Sequence, residues 1–575
     1  MRRGGCGLTT SFPIGRRNPF FNSAALSYSS LHCYKEPIAT QPTQILVDDG
    51  RPASVATSYA PADAQSQQFR RHMGEVSRQS LVFFLGTIFT TAASYVFKVY
   101  VARKLGAERL GIYAIGMSVT GFLGLFPVLG LPDAASRFVS VYAANRRMSH
   151  LRGFLLRGLL LLISMNLLVG GGILLARHWI ADRLYHLPIL SVYMPLFVIL
   201  MCCGAVTSFL GRVLAGYKDV ARRTVITNFF GTPMMMVLAV ALLMWGTGLW
   251  GYVIAQVVAA ALVIGALAWS VWKLTPAEAR NSHTPSMPLQ PEVYSFSAAV
   301  LGVAFLEFLM SQTDKLLLGL YLNPRWVGIY GIAIGIVAFV PIILQSVNQI
   351  FGPTIADLHS RGEIEMLGRL YQTLTKWIIA LTIPLAVVIM FFSVPLMKLF
   401  GPDFEPGWPV LVIGTLGQLV NCGVGSVGML LLMSGNQRRL IKVQAAMAVV
   451  AVIASLVLIP VAGIVGAAVA SALVNVGTNI WYMREVKHAL RTHLVRRAYA
   501  SLLLPCTATV GFVALLRFAT PSLGQEWLLI ISAIALAYVV FVLVTLACGL
   551  DKEDREIGSA AWLRIRGILV RTVNA

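Results

Sequence analysis

The strongest constraint on this chain of 575 residues is its series of apolar runs. About fourteen runs of roughly 20 apolar residues recur along it, among them 80–101, 111–131, 441–460 and 463–483, and each could cross the ~30 Å hydrocarbon core of a bilayer. Backbone groups in lipid need partners within their own segment, so the runs should be helices. At 57% hydrophobic and 12% charged residues, a soluble fold could not cover its own surface. We therefore predict an all-α polytopic membrane protein.

The chain also repeats itself. Residues 98–116 (KVYVARKLGAERLGIYAIG) align without a gap on residues 315–333 (KLLLGLYLNPRWVGIYGIA), an offset of 217 positions that places Lys98 on Lys315. Later landmarks keep nearly the same spacing: Gly130 with Gly352, Gly216 with Gly435, and Gly248 with Gly463. Six spans separate the copies, so both halves should enter the membrane from the same side. This predicts two six-helix bundles in a parallel internal repeat, followed by two C-terminal helices.

The expected domain boundaries follow composition. We predict a disordered basic N-terminal extension or start-site artefact at 1–75, a first bundle at 76–273, a cytoplasmic linker at 274–293, a second bundle at 294–490, and two helices with a basic cytoplasmic tail at 491–575. The linker is rich in proline and polar residues, which favours flexibility.

The formal net charge of +22 would suggest nucleic acid for a soluble protein. Its placement indicates topology instead. Basic residues such as Arg146, Arg147, Arg438 and Arg439 concentrate in alternate loops. That is the positive-inside pattern, and it predicts a multi-pass protein of the cytoplasmic (inner) membrane with both termini in the cytoplasm and no nucleic-acid partner.

Neither a metal site nor an enzyme is expected. Five of the seven cysteines lie inside predicted spans without paired spacing in an exported loop, so they are interpreted as small apolar fillers. The loops are short, which leaves no domain for a soluble active site. We predict no catalytic residue and no metal ligand.

Ionisable residues within spans are costly and mark either a pathway or a structural pair. Glu307, Ser311 and Asp314 follow one another at i, i+4 and i+7, so they should share one helix face. The stripe could line a wet cavity and bind a proton, Na⁺ or a basic partner, with Glu307 and Asp314 as coupling-ion or cavity acids. A structural pair with a basic residue of a neighbouring helix is an equally weighted alternative.

Three basic residues are candidates for binding an anion. Lys98 and Lys315 occupy equivalent repeat positions and could both approach a central cleft, where an ammonium attracts phosphate strongly. Arg137 lies near the cytoplasmic end of the second span. For all three, snorkelling to the membrane interface is the alternative.

Five segments follow one another between about Ser77 and Val486: ARKLGAERLGIYAIG, GLPDAASRFVS, MSQTDKLLLGLYLNPRWVGIYGIA, LMKLFGPDFEPGWPVLVIGTL and LLMSGNQRRLIKVQAAM. In this order they resemble the lipid-linked oligosaccharide (O-antigen and exopolysaccharide) flippase family. This polysaccharide transporter branch shares a superfamily with the MATE antiporters and lipid II flippases. The resemblance implies a V-shaped pair of bundles that alternates access, with Lys98, Arg137 and Lys315 as candidate contacts for a diphosphate.

The resulting hypothesis is a flippase that moves polyprenyl-diphosphate-linked oligosaccharide across the membrane for polysaccharide or lipopolysaccharide biosynthesis. It would need no cofactor beyond possible Na⁺ or H⁺ coupling, and a polysaccharide polymerase and chain-length regulator would be its protein partners. The alternatives are a MATE-type cation-coupled multidrug antiporter and a scaffold subunit of a synthase complex. An acidic, aromatic cavity would favour the antiporter.

Overall fold

The computed structural model describes the backbone of residues 62–490, 501–519 and 526–548, with side chains from residue 93 onward except at positions 350, 490, 526 and 527. The helices of the first half are α1 (Ala62–Val128), α2 (Leu131–Ala144), α3 (Met148–Leu175), α4 (Pro188–Gly216), α5 (Val220–Thr224), α6 (Thr232–Met244), α7 (Gly248–Leu274) and α8 (Ala277–Arg280). Those of the second half are α9 (Pro291–Tyr321), α10 (Pro324–Val337), α11 (Ile342–Ser360), α12 (Ile364–Phe391), α13 (Ser393–Lys398), α14 (Trp408–Val424), α15 (Val427–Met433) and α16 (Gln437–Leu490). Two more follow, α17 (Leu503–Ala519) and α18 (Glu526–Cys548).

The prediction of an all-helical polytopic protein is confirmed, whereas the count of fourteen spans is not. In the described part of the chain, ten helices are long and apolar enough to cross a membrane, or eleven if bent α10 and α11 form one span. The continuous helical segments 93–144 and 437–489 each count as one of these ten helices, although each overlaps two predicted spans. Both are broken at a glycine with positive φ, at Gly106 (+76°) and Gly463 (+58°). These backbone conformations suit glycine because it has no Cβ.

Helix boundaries depart from the sequence prediction at the N-terminus. Helix α1 begins at Ala62, so residues 62–75, which we expected to be disordered, are helical. Residues 1–61 lie outside the described ranges, as do 491–500 and 549–575 of the expected C-terminal region. The linker after α7 contains the short helix α8 and lies against α3.

The internal repeat is visible as a reciprocal contact between the two halves. A Cβ placed on Gly111 would lie 1.7 Å from the carbonyl oxygen of Pro324, and one on Gly328 would lie 2.0 Å from that of Ala107. Ala107 and Pro324 are 217 positions apart, as are Gly111 and Gly328. The same two repeat positions therefore meet twice, once in each direction. We call this end of the molecule the sealed end.

The apolar cores separate away from the sealed end. One large core contains residues of both halves, from α1, α4 and α7 together with α10 and α14, including the fully buried Tyr330. A second core lies mostly within the first half around Leu151 and Phe209 and also contains Val293 of α9, and a third lies within the second half around Tyr371 and Leu430. Burial of apolar surface thus joins the halves extensively at one end, whereas at the other each half has a core of its own and the halves meet through a smaller contact at the start of α9. We call the latter the split end.

Candidate functional site

A cavity of about 710 Å³ lies between the two halves. Helices α1 and α7 of the first half and α9 and α10 of the second half form its walls, and Phe400 closes part of it. The backbone contacts of the sealed end lie next to it, since Leu110 and Gly328 are among the lining residues. Volumes of this size are typical of binding sites for small molecules or headgroups.

Lys98 and Lys315 both line this cavity. Each ammonium interacts with the residue three positions earlier on its own helix. The Nζ of Lys98 lies 4.5 Å from the centroid of the Tyr95 ring, and the Nζ of Lys315 donates to the Oε1 of Gln312 at 2.8 Å. Tyr95 and Gln312 are also 217 positions apart. The repeat therefore conserves the direction of the two lysines as well as their place.

The two ammonium groups remain available to an anion. Within the described ranges, neither lysine forms an ion pair with a carboxylate. A cation over an aromatic face, or beside an amide oxygen, keeps its charge and much of its capacity to donate. In a cleft with low-dielectric walls, that charge attracts phosphate more strongly than it would in water.

Glu307 is the carboxylate of the cavity wall in the described part of the chain. Its side chain is exposed to the cavity, and Ser311 lies one turn further along the same face of α9. The hydroxyl of Ser311 donates to the backbone carbonyl of Glu307 at 2.8 Å. With two lysines and one glutamate, the wall carries a formal excess of one positive charge.

Asp314 does not share that wall, so the predicted stripe is wrong at its third member. Its side chain is only 7% exposed. One carboxylate oxygen accepts a hydrogen bond from the hydroxyl of Tyr330 on α10, and the other accepts one from the backbone N–H of Lys315 at 2.7 Å. The equivalent position in the first half is the buried Phe97. This repeat position therefore belongs to the core in both halves. In the second half, the hydrogen bond from the Tyr330 hydroxyl offsets part of the cost of burying the carboxylate.

Arg137 also lies away from the cavity. It sits between α2 and the beginning of α9, with its guanidinium carbon 4.9 Å from the centroid of the Phe296 ring and 5.6 Å from that of Phe138. Its charge is thus directed at aromatic faces between the halves. The structure places this predicted substrate contact at the split end instead.

The aromatic part of the site was not predicted from the sequence. Tyr95, Tyr113 and Tyr252 all line the cavity. The hydroxyl of Tyr113 donates to Gln256 at 2.9 Å, and its ring meets that of Tyr252 edge-on at 5.2 Å between centroids. The available signals were the repeated Gly-Ile-Tyr motif and Gln256, an amide within an otherwise apolar span.

Aromatic side chains also line both seams beside the cavity. At one seam, Phe122 of α1 packs on Phe308 and Phe305 of α9, with centroids 5.5 and 6.3 Å apart. At the other, Phe339 packs on Tyr95 of α1 at 3.9 Å, and the Tyr95 hydroxyl donates to the carbonyl of Gly335 at 2.9 Å. Phe122 and Phe339 are again 217 positions apart.

Comparisons of the sequence with known families agree with this architecture. A family model described as "Polysaccharide biosynthesis protein" matches residues 76–359, and one described as "MatE" matches residues 299–464. The "Probable low-salt glycan biosynthesis flippase Agl15" of Haloferax volcanii is 23% identical over 405 residues, which cover 69% of this chain and 81% of that protein.

Solved structures show the same fold. The lipid II flippase MurJ in an inward closed conformation superimposes with a TM-score of 0.61 at 13% identity, covering 80% of this chain and 98% of that one. An inward-facing MATE multidrug resistance transporter of the MOP superfamily gives a TM-score of 0.55 at 15% identity, covering 69% and 94% respectively. At these identities the likeness concerns the fold.

Proposed function

We propose that this chain belongs to the polysaccharide transporter branch of the superfamily that includes the MATE transporters and the lipid II flippases, and that it moves lipid-linked oligosaccharide across a membrane. The substrate would be a polyprenyl diphosphate that carries a short glycan. The protein would carry it without chemical conversion, by alternating access of the cavity to the two leaflets. The family resemblance and the glycan flippase relative support the substrate class.

The observation that carries the proposal is the pair of equivalent lysines in one cavity. Lys98 and Lys315 face the same space from opposite halves, and neither is neutralised by an ion pair in the described part of the chain. A diphosphate has two phosphoryl groups and could meet one ammonium from each half. Motion of one half against the other would then change both contacts together, which is what coupling of binding to conformation requires.

The remaining wall suits a glycan. Tyr95, Tyr113 and Tyr252 offer aromatic surface and hydroxyl groups, while Ser118, Ser311 and Gln312 offer further donors and acceptors. Sugar rings present both apolar C–H faces and hydroxyl groups, so such a mixed wall matches them. The prenyl tail would stay outside the cavity, in lipid.

The orientation follows from charge. The arginine-rich ends of α2 and α3, including Arg146 and Arg147, lie at the split end, which the positive-inside rule places in the cytoplasm. The sealed end would then face outward, and substrate would enter from the inner leaflet of the cytoplasmic membrane. A polymerase and a chain-length regulator that consume the exported lipid are the proposed partners.

Coupling to Na⁺ or H⁺ would act through the acids of α9. Glu307 is the group that an ion could reach from the cavity. Asp314 would respond indirectly, because its hydrogen bond to Tyr330 joins α9 to α10. An ion drives transport only if it binds one conformation more tightly than the other.

The test is a reconstituted flipping assay. Purified protein in vesicles would receive a polyprenyl-diphosphate disaccharide with a fluorescent sugar, and an impermeant quencher would report the fraction that reaches the outer leaflet. The flipping rate of the Lys98→Ala/Lys315→Ala variant should be about a hundredfold lower, because this variant loses two charge-assisted contacts. The control, Lys104→Ala/Lys273→Ala, removes two exposed lysines that do not line the cavity. A wild-type rate in the cavity double variant would refute this role for the lysines.

The MATE-type alternative keeps one supporting observation, the cavity acid Glu307 beside aromatic residues. It predicts uptake of organic cations by the same vesicles and loss of that uptake in Glu307→Gln. Flipping of the anionic lipid without cation uptake would decide for the flippase.

A further inference from the structure

The segment that joins the two halves is docked, although its composition predicts flexibility. We call residues 275–290 the strap. Its beginning is fastened to the first half, where the hydroxyls of Thr275 and Tyr217 lie 3.1 Å apart. Within it, the Thr284 hydroxyl donates to the carbonyl of Glu278 at 2.6 Å. The strap then crosses the first turns of α3.

Two arginines of α3 hold the middle of the strap. Arg152 donates from Nη1 to the carbonyl of Thr284 at 3.0 Å, and Arg157 donates from Nη2 to that of Ser286 at 2.9 Å. The backbone N–H of Met287 donates to the carbonyl of Ser149 at 3.2 Å. Proline-rich chain has few backbone partners of its own, so these side chains supply the hydrogen bonds that fix its path.

A glycine permits this close approach. A Cβ on Gly153 would lie 2.0 Å from the carbonyl oxygen of Met287 and 2.9 Å from its backbone nitrogen. Contacts this short with backbone cannot be relieved by turning a side chain. The strap can therefore lie flush on α3 only because residue 153 has no side chain.

The end of the strap coincides with the contact between the halves at the split end. Gln290 accepts a hydrogen bond from the hydroxyl of Tyr142 on α2 at 2.9 Å. The next turns of α9 bring Phe296 against Phe138 and Arg137, and Ser297 against Gly130. The first turns of α9 can therefore leave α2 only if the strap lifts from α3 or carries α3 with it.

We propose that the strap is a latch that holds the split end closed and must detach from α3 when the cavity opens there. Docking fixes the start of α9 beside α2, and release frees α9 to move with the second half. The hydrogen bonds of Arg152 and Arg157 set the balance between the docked and released states. The inference rests on the proposed transport only in taking separation of the halves as its conformational step.

The experiment uses two readouts on the purified full-length protein, neither of which involves substrate. Trypsin cleavage after Arg280, which is exposed on α8, reports release of the strap. Labelling of Ser311→Cys by a polar maleimide, in a background where native cysteines are serine, reports access to the cavity. The test variant is Gly153→Ala, and its control on the same helix is Gly172→Ala, where a Cβ would meet nothing within 4 Å.

Gly153→Ala should raise both the cleavage rate and the labelling rate by about tenfold, because lost docking shifts the population towards the released state. Gly172→Ala should change neither rate. Faster cleavage without faster labelling would overturn the latch, since the strap would then move independently of the cavity. Unchanged cleavage in Gly153→Ala would overturn the docked geometry itself.

A second variant covers the case in which Gly153→Ala does not fold. Arg152→Ala/Arg157→Ala removes the two side-chain hydrogen bonds and should raise both rates in the same way. Arg438→Ala/Lys442→Ala removes two exposed basic residues of α16 in the second half, which controls for the loss of basic residues at the cytoplasmic side. Since both readouts are independent of flipping, a failed lysine experiment would leave the latch standing.

Discussion

Gly328 on α10 meets the backbone of Ala107 on α1 so closely that a Cβ at residue 328 would lie 2.0 Å from the Ala107 carbonyl oxygen. Gly328→Ala should therefore force the halves apart at the sealed end and cost about 1–3 kcal/mol of stability, as overpacking does. Gly331→Ala is the matched control, because it adds the same methyl group one turn away on the same helix with nothing within 4 Å. Thermal unfolding of the purified variants measures the difference. Equal stability of the two would contradict the tight contact.

Glu307 should determine whether transport responds to an ion. In Glu307→Gln the wall keeps its shape but loses its acid, so acceleration of flipping by a proton or Na⁺ gradient should disappear. Flipping without a gradient should stay within about threefold of wild type, because the lysine contacts persist. Glu108→Gln, which removes an exposed carboxylate that does not line the cavity, is the control. Gradient-driven acceleration that survives in Glu307→Gln would exclude this acid as the coupling group.

The Asp314–Tyr330 pair should contribute to stability. Tyr330→Phe removes the donor from a buried carboxylate and should lower the free energy of unfolding by about 1–3 kcal/mol. Tyr113→Phe, at the equivalent repeat position, should cost less, because its partner is the neutral amide of Gln256. A double-mutant cycle with Asp314→Asn measures the coupling, expected at about 1 kcal/mol or more. Additive effects would show that the two groups stabilise the protein independently.

Two roles of Arg137 can be distinguished: a contact between the halves and a substrate ligand. Its guanidinium lies over Phe296, an arrangement worth about 0.5–2 kcal/mol. Arg137→Ala and Phe296→Ala should therefore change the rate of maleimide labelling of Ser311→Cys by the same factor. The double variant should show no larger change in that rate than either single variant. In the flipping assay, weaker apparent affinity for the lipid in Arg137→Ala alone would instead restore it as a substrate contact.

Much of the architecture followed from two sequence signals. Apolar runs predicted the all-helical membrane fold, and the 217-residue offset predicted which residues would face each other. Lys98 and Lys315 reach one cavity because equivalent positions in a parallel repeat are related by a common axis. Helix counting was less successful, since the glycine breaks at Gly106 and Gly463 leave two spans within each continuous helical segment.

What the sequence did not predict are contacts between side chains of different helices, because helical periodicity specifies only which residues share a face of one helix. The spacing placed Asp314 on the face of Glu307, but it could not reveal Tyr330 as a donor on the next helix. Arg137 was a candidate ligand through the family resemblance, and nothing near it in sequence indicated that it lies against Phe296, which is contributed by the other half. Likewise, the proline-rich linker predicted flexibility, whereas Arg152 and Gly153 of α3 determine where it lies.

The reciprocal contact at the sealed end has a consequence for how such a chain could have arisen. Gly111 meets Pro324 as Gly328 meets Ala107, so each half presents the same self-complementary patch to the other. An isologous patch of this kind closes a twofold homodimer without any help from the covalent connection. A polypeptide of half this length could therefore pair with its own copy. After fusion of two such genes, Phe97 and Asp314 would have diverged from one ancestral position.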